Sequence, residues 1–404
     1  MTESVAARPP GLLALLGIVN ANGILVATMY LPSLPSLSNV LGVPVDAMPF
    51  TLMVYLAGYA GGQLVFGPLS DRWGRRWLML GSLAVLALVS AACAFVTTLE
   101  QLCWLRGIQG FAAAAGLVIG RAVLFDVYNR AEAARATAVV TATLAMAPIF
   151  SPLLGGMVEE FIGWRGNFLI SAAVTAGALL LLGIWLGETH RPVRRPGSML
   201  GGILRDYAGL LGSRAFLGFG GVIASIFAGL HSFNAAAPAV LIETLGLRPA
   251  VAGLLLALGG CGFFLGSLFS SLYAMRLGTA KLIELGIAAM LLGGCGLPLL
   301  TALFGDSVAV VIGCRVVWAA GMGIAVPAVV AGATGANPKA LGAGSALAGF
   351  MQNAAGGLGA MAMGLLPAGD TLALGLAYAA MAVLGLAGWM VNRRAALAAI
   401  NAPD

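Results

Sequence analysis

Long apolar runs separated by short polar ones cover nearly the whole chain. They fall at roughly 11–32, 47–69, 77–97, 102–124, 136–158, 166–187, 215–242, 250–274, 281–303, 307–331, 341–366 and 371–391. Each is close to the ~20 mostly apolar residues that a helix needs to cross about 30 Å of hydrocarbon. The pattern predicts an all-α membrane protein with twelve transmembrane helices. One long polar interruption, Glu188 to Arg214, divides the runs into two sets of six. It predicts an N-terminal half at 1–187, a linker at 188–214 and a C-terminal half at 215–404. The halves echo each other: Arg72-Trp73-Gly74 and Arg276-Leu277-Gly278 both lie between the second and third runs of their set. Parallel six-helix repeats with a site between them near the midplane are a transporter plan.

Composition agrees with this reading. Sixty per cent of residues are hydrophobic and 9% charged, against roughly a quarter charged in soluble domains. The formal charge of +6 raises the question of nucleic acid. The basic residues, however, sit between apolar runs and lack the aromatic interleaving of a nucleic-acid groove, so no nucleic-acid partner is expected. Sixteen of the 21 lysines and arginines fall on one predicted side, and only Arg165 and Arg248 on the other. By the positive-inside rule the richer side is cytoplasmic, which puts the linker and both termini there. The expected location is a bacterial-type inner membrane. Met1 to Pro10 carries only Arg8 and leads into a run too long for a signal peptide, so a retained first span is expected. The five cysteines occur singly, which supports neither a disulfide framework nor a metal site. No Walker lysine loop, H-E-x-x-H or G-x-S-x-G is present. No enzyme activity and no cofactor are expected.

Charge inside so apolar a chain needs a reason. Gly67-Pro68-Leu69-Ser70-Asp71-Arg72-Trp73-Gly74-Arg75-Arg76 is a charged turn between two apolar runs. Gly67 and Pro68 are expected to end one helix, and Gly74 to allow the tight turn into the next. Asp71 can meet a helix N-terminus or an arginine, while Arg72, Arg75 and Arg76 suit a cytoplasmic surface, as plain anchoring residues would. The ordered string resembles the G-x-L-(A/S)-D-R-x-G-R-(R/K) loop between spans 2 and 3 of the major facilitator superfamily. The resemblance implies the major facilitator fold.

Further strings narrow the resemblance. Tyr30-Leu31-Pro32-Ser33-Leu34-Pro35 is similar to the end of the first span in the Bcr/CflA group of drug-type antiporters. That group usually carries an acid where this chain has Thr28. Asn20 and Asn22 either hydrogen-bond substrate or hold a neighbouring helix. Arg106 lies inside a run, where an unpaired charge costs a few kcal/mol, so it faces a wet cavity or a partner, or snorkels to the interface. Arg106-Gly107-Ile108-Gln109-Gly110 resembles the span 4 motif whose arginine is implicated in proton coupling. The resemblance assigns Arg106 to coupling and Gln109 to its surroundings. Arg121 and Asp126 lie about 140° apart on an ideal helix and do not form an i,i+4 pair. Their string resembles the R-A-x-x-x-D-x-Y end of span 4 in the same group. It implies a cytoplasmic gate with Asp71, Arg72, Gly74 and Arg75, with interface anchoring as the alternative.

In the fifth run, Pro148, Ser151, Pro152, Gly155 and Gly156 are similar to the G-P-x-x-G-G antiporter motif, with Ser151 where glycine is commonest. That resemblance implies export. His231 and Asn234 are three apart and share a face of the seventh run, where the histidine is either functional or bonded across helices. Arg315 has no acid in its own run, and Gln352 and Asn353 add polar groups to the eleventh. Together with Tyr30 and Thr28 these are the substrate-cavity candidates. An interior with arginines and no acid at mid-depth should suit anionic, zwitterionic or neutral solutes. The expected function is proton-coupled efflux of a small molecule by alternating access. The substrate is a multidrug, chloramphenicol or bicyclomycin type, or an endogenous metabolite such as a siderophore. An importer, and a non-transporting receptor or scaffold, are the alternatives, and a monomer is expected.

Overall fold

The computed structural model describes residues 11–128, 130–189, 205, 207–336 and 341–400. Arg8, His190, Arg191, Arg194, Arg195 and Lys339, with most of the expected linker, lie outside the described residues.

Every described regular element is helical. α1 (Leu12–Thr28) passes through a 3-10 turn at Leu31–Ser33 into α2 (Leu34–Leu41). There follow α3 (Pro49–Trp73), α4 (Arg75–Cys93), α5 (Leu99–Val127), α6 (Arg130–Phe161) and α7 (Trp164–Trp185). The later helices are α8 (Arg214–Pro238), which ends in a π turn, α9 (Pro249–Phe304), α10 (Val308–Gly335), α11 (Leu341–Met363) and α12 (Thr371–Ile400).

Among the described residues, ten helical segments are long and apolar enough to cross a membrane. One of them is α9, whose 56 residues would span about 84 Å at 1.5 Å per residue. It breaks at Gly278 (φ 74, ψ 162) into two membrane-length limbs. α11 has 23 residues, about 35 Å, but its hydropathy is diluted by glycine and by Gln352 and Asn353. The expected twelve spans are thus all found.

The charged turn corrects one expectation. Gly67 and Pro68 do not end the second span, because α3 continues through them to Trp73. A proline removes only one backbone hydrogen bond, and neighbours in a membrane bundle tolerate that loss. The Ser70 hydroxyl bonds the Gly67 carbonyl at 2.9 Å within this last turn. The helix stops at Gly74, whose φ of 93 and ψ of 161 only glycine adopts freely. Gly74 and Gly278 share nearly the same backbone excursion, so the echo between the two R-x-G strings extends to conformation.

α3 packs on α5, α1 on α6, α4 on α5 and α7, α8 on α11 and α12, and α9 on α10. Two seams join the early helices to the late ones: α3 on α11, and α6 on α9. The outward surface is apolar, with Leu88, Phe95, Leu292 and Phe304 each more than 70% exposed. A water-facing surface would not carry so much apolar area, and a lipid-facing one does. Trp73 and Trp77 at one end of the bundle, with Trp104 and Phe161 towards the other, fit interfacial aromatic belts.

Candidate functional site

At the Gly74 end, Arg75 is the hub. Its guanidinium reaches Asp71 Oδ1 and Ser70 Oγ at 2.5 Å and Asp126 Oδ2 at 3.2 Å. The Gly74 turn leaves the first N–H groups of α4 facing the end of α7. Glu188, just past α7, accepts from Arg75 N at 2.8 Å and Arg76 N at 3.2 Å. A carboxylate there satisfies orphan donors and complements the helix dipole. Asp71, Gly74, Arg75 and Asp126 therefore meet. Arg72 is exposed, and among the described residues neither it nor Arg121 makes a hydrogen bond or ion pair. Glu188 was hidden from sequence reasoning, since nothing local connects it to residues 113 positions away. Glu188→Ala is expected to destabilise the protein by about 1 kcal/mol, the usual worth of such a cap, and thermal unfolding in detergent would measure it.

Arg106 is completely buried. It does not snorkel, because its head lies inward between α1 and α3. Nη1 donates to Val26 O (3.1 Å) and Gln109 Oε1 (2.5 Å), and Nη2 to Ala27 O (3.5 Å). The guanidinium stacks 4.2 Å from the Tyr30 ring and 4.3 Å from the Tyr55 ring. Gln109 passes the chain on to Ser90 Oγ at 2.8 Å. Tyr30 OH meets Thr51 at 2.8 Å, and Tyr55 OH donates to Gly23 O at 2.7 Å. Carbonyl dipoles and two aromatic faces compensate this cation where no carboxylate pairs with it. Tyr55 and Ser90 were missed in the sequence, since each is one polar tip in an otherwise apolar run.

The Pro-Gly stretch of α6 is wedged between α1 and α9. A Cβ on Gly155 would overlap the Met29 carbonyl oxygen, and one on Gly156 would overlap that of Pro249. A Cβ on Gly253 of α9 would in turn overlap Pro152 O, and Ile149 packs on Gly260 further along. Ser151 and Thr28 are hydrogen-bonded to each other at 2.5 Å, and Thr28 also bonds Ile24 O at 2.8 Å. The two positions at which the chain departs from the motifs it resembles thus answer each other. At the Pro249 end of this seam, Glu160 accepts from Ala250 N (3.1 Å), at the start of α9, and pairs with Arg248 (3.2 Å). Arg248 had been noted in the sequence only for its side of the membrane, and Glu160 not at all.

In the late helices Arg315 is 5% exposed. It donates to Tyr378 OH at 2.9 Å and, at 3.5 Å, to Asn234 Oδ1, and it lies 4.9 Å from the Phe233 ring. His231, one turn from Asn234, is buried against Gly356 with Nδ1 unpartnered. Asn353 reaches across the α3–α11 seam to Gln63 Oε1 at 3.4 Å. Gln352 is half-buried. Asn20 donates to Leu16 O of its own helix (2.7 Å) and Asn22 to Thr175 of α7 (2.9 Å), and among the described residues the Oδ1 of each has no partner.

The site therefore consists of two buried arginine centres, one in the early helices and one in the late, separated by glycine-lined seams. The Major Facilitator Superfamily family model matches residues 16–360. Multidrug resistance protein D of Escherichia coli (strain K12) is 27% identical over 384 residues, covering 95% of this chain and 96% of that protein. A bicyclomycin resistance protein homolog of Haemophilus influenzae is 28% identical over 275 residues, covering 68% and 69%. Among solved structures, a bacterial homolog of the human lysosomal transporter Spinster, inward-facing and unoccupied, superposes with a TM-score of 0.78 at 16% identity. The superposition covers 98% of this chain and 100% of that one.

Proposed function

As the chain belongs to the Major Facilitator Superfamily, a family of membrane transporters, we propose that it exports a small molecule in exchange for protons by alternating access. The observation that carries this reading is the α6 stretch from Pro148 to Gly156, where Gly155 meets the Met29 carbonyl and Pro152 and Gly156 meet Gly253 and Pro249 of α9 backbone to backbone. A seam between bare backbones lets two rigid bodies meet closely and separate without unpacking side chains. The names of the relatives, multidrug and bicyclomycin resistance proteins, support export of drug-like solutes.

The two bodies are residues 1–187 and 215–404, joined by the linker 188–214, in an inner membrane with both termini and the Gly74 end cytoplasmic. Glu160, Arg248 and the Gly156–Gly253 contact latch the outer face. Asp71, Arg75 and Asp126 organise the inner one. Arg106 supplies a fixed positive field, relayed through Gln109 to Ser90, against which proton entry and substrate release are balanced.

The test is proton movement in everted vesicles carrying a pH-sensitive dye quenched by respiration. Neutral drugs of the chloramphenicol type, cationic dyes and carboxylated solutes would be added in turn. Recovery of fluorescence with one class, absent in vesicles lacking the protein, is the expected result. If no class restores fluorescence and no labelled solute moves, despite verified insertion, the receptor or scaffold reading replaces export.

A further inference from the structure

Arg106 and Arg315 occupy matching places. Each is the eighth residue of its helix, α5 and α10. Each lies over an aromatic ring from near the end of the first long helix of its set, Tyr30 in one case and Phe233 in the other. Their surroundings then diverge. Three residues on, Gln109 closes a hydrogen bond on Arg106, whereas the corresponding residue after Arg315 is Trp318, which can only donate. Arg106 has two backbone carbonyls, a side-chain amide and two stacked rings. Arg315 has one phenol oxygen, one amide oxygen at 3.5 Å and one ring at 4.9 Å. Among the described residues the Nε of each arginine lacks a partner, and that of Arg315 is seated against Gly259, where a Cβ would come within 2.9 Å.

A buried guanidinium left this poorly satisfied is costly unless an anion completes it. Among the described residues no carboxylate lies within ion-pair distance of it. Asn234 is the half-buried member of the cluster and holds the place of an anionic oxygen with a long, neutral bond. His231, one turn away with Nδ1 unpartnered, adds a second polar group. We propose that Arg315, with Asn234 and His231, is the binding site for a carboxylate on the transported solute, while Arg106, already held by three acceptors and two rings, binds none. The site's place in transport rests on the export reading; its binding chemistry does not.

The experiment measures binding to the purified full chain in detergent, with no gradient. Matched probes are chloramphenicol hemisuccinate against chloramphenicol, N-acetylphenylalanine against its methyl ester, and salicylate against methyl salicylate, with sodium sulfate as an inorganic control. A charge-assisted hydrogen bond is worth ~1.5–3 kcal/mol, so the carboxylate of at least one pair should bind about tenfold or more tightly than its neutral counterpart. Arg315→Gln should erase that preference while the protein stays folded, since it removes a charge that leaves no acid behind. Asn234→Asp should erase it too, by supplying an internal carboxylate, and should raise the unfolding midpoint. The proposal is overturned if no pair shows a preference for charge, if the preference survives Arg315→Gln, or if sulfate binds as tightly as the carboxylates. Export of neutral solutes in vesicles alongside absent carboxylate binding would sink this site and leave the export reading intact. The reverse pattern would do the opposite.

Discussion

Replacing Gly156 by valine is expected to slow transport about 100-fold while leaving the protein inserted and folded. In the structure this residue faces Pro249 O and the Gly253 Cα directly, and a Cβ would overlap the carbonyl. The neighbour is backbone and cannot turn aside as a side chain would. Overpacking of this kind costs about 3 kcal/mol at its usual upper range, and charged wholly to the closed state it depletes that state about 100-fold. The variant should rest open at the Glu160–Arg248 end, and a cysteine-labelling probe on α9 near Arg248 would register that opening. Gly155→Val is the informative contrast. Its Cβ would strike Met29 O, a contact within the first six spans, so the expected loss is of folded protein. Wild-type rates in Gly156→Val would remove the seam from the mechanism.

Arg106→Leu is the second large effect. The substitution removes a buried cation that has no carboxylate partner among the described residues, so it strands no opposite charge there, and the fold should survive. What disappears is a set of charge-assisted bonds to Val26 O, Ala27 O and Gln109, together with stacking on Tyr30 and Tyr55. Such bonds are worth ~1.5–3 kcal/mol each, and proton release in vesicles should fall tenfold or more. Arg106→Lys should not restore it, because an ammonium cannot lie flat between two rings while reaching three acceptors. Full activity in the lysine variant would show that charge alone is required.

The membrane spans and the R-x-G turns were legible because hydropathy and glycine act locally. The azimuth of each span was not. These helices are apolar on almost every side, so periodicity gives no strong inward face, and cross-helix partners cannot be assigned from spacing. This is why Arg106 could be flagged as needing compensation while Tyr55 and Ser90, which take part in it, could not. For the same reason Asn20 and Asn22 read equally well as cavity residues or packing residues; in the structure Asn20 donates within its own helix and Asn22 to Thr175 of α7. Pro68 misled for a different reason. Proline is a strong helix terminator in water, yet α3 carries it through and stops only where Gly74 adopts positive φ. Thr28 and Ser151 were noted separately as departures from a pattern, and only the fold reveals that they touch.

Two arginines buried without acids also give the molecule an electrical character. A guanidinium is a permanent cation in proteins, so the solute-free carrier holds fixed positive charge in its interior. When aqueous access passes from one face to the other, the membrane voltage falls across a different stretch of protein, and these charges shift electrically without moving in space. Each is subject to about 2.3 kcal/mol per 100 mV for a full crossing. A bound carboxylate would cancel one of them. The solute-free return step, which in the exchange carries the proton, is therefore where membrane potential should set the pace, rather than the solute-loaded export step.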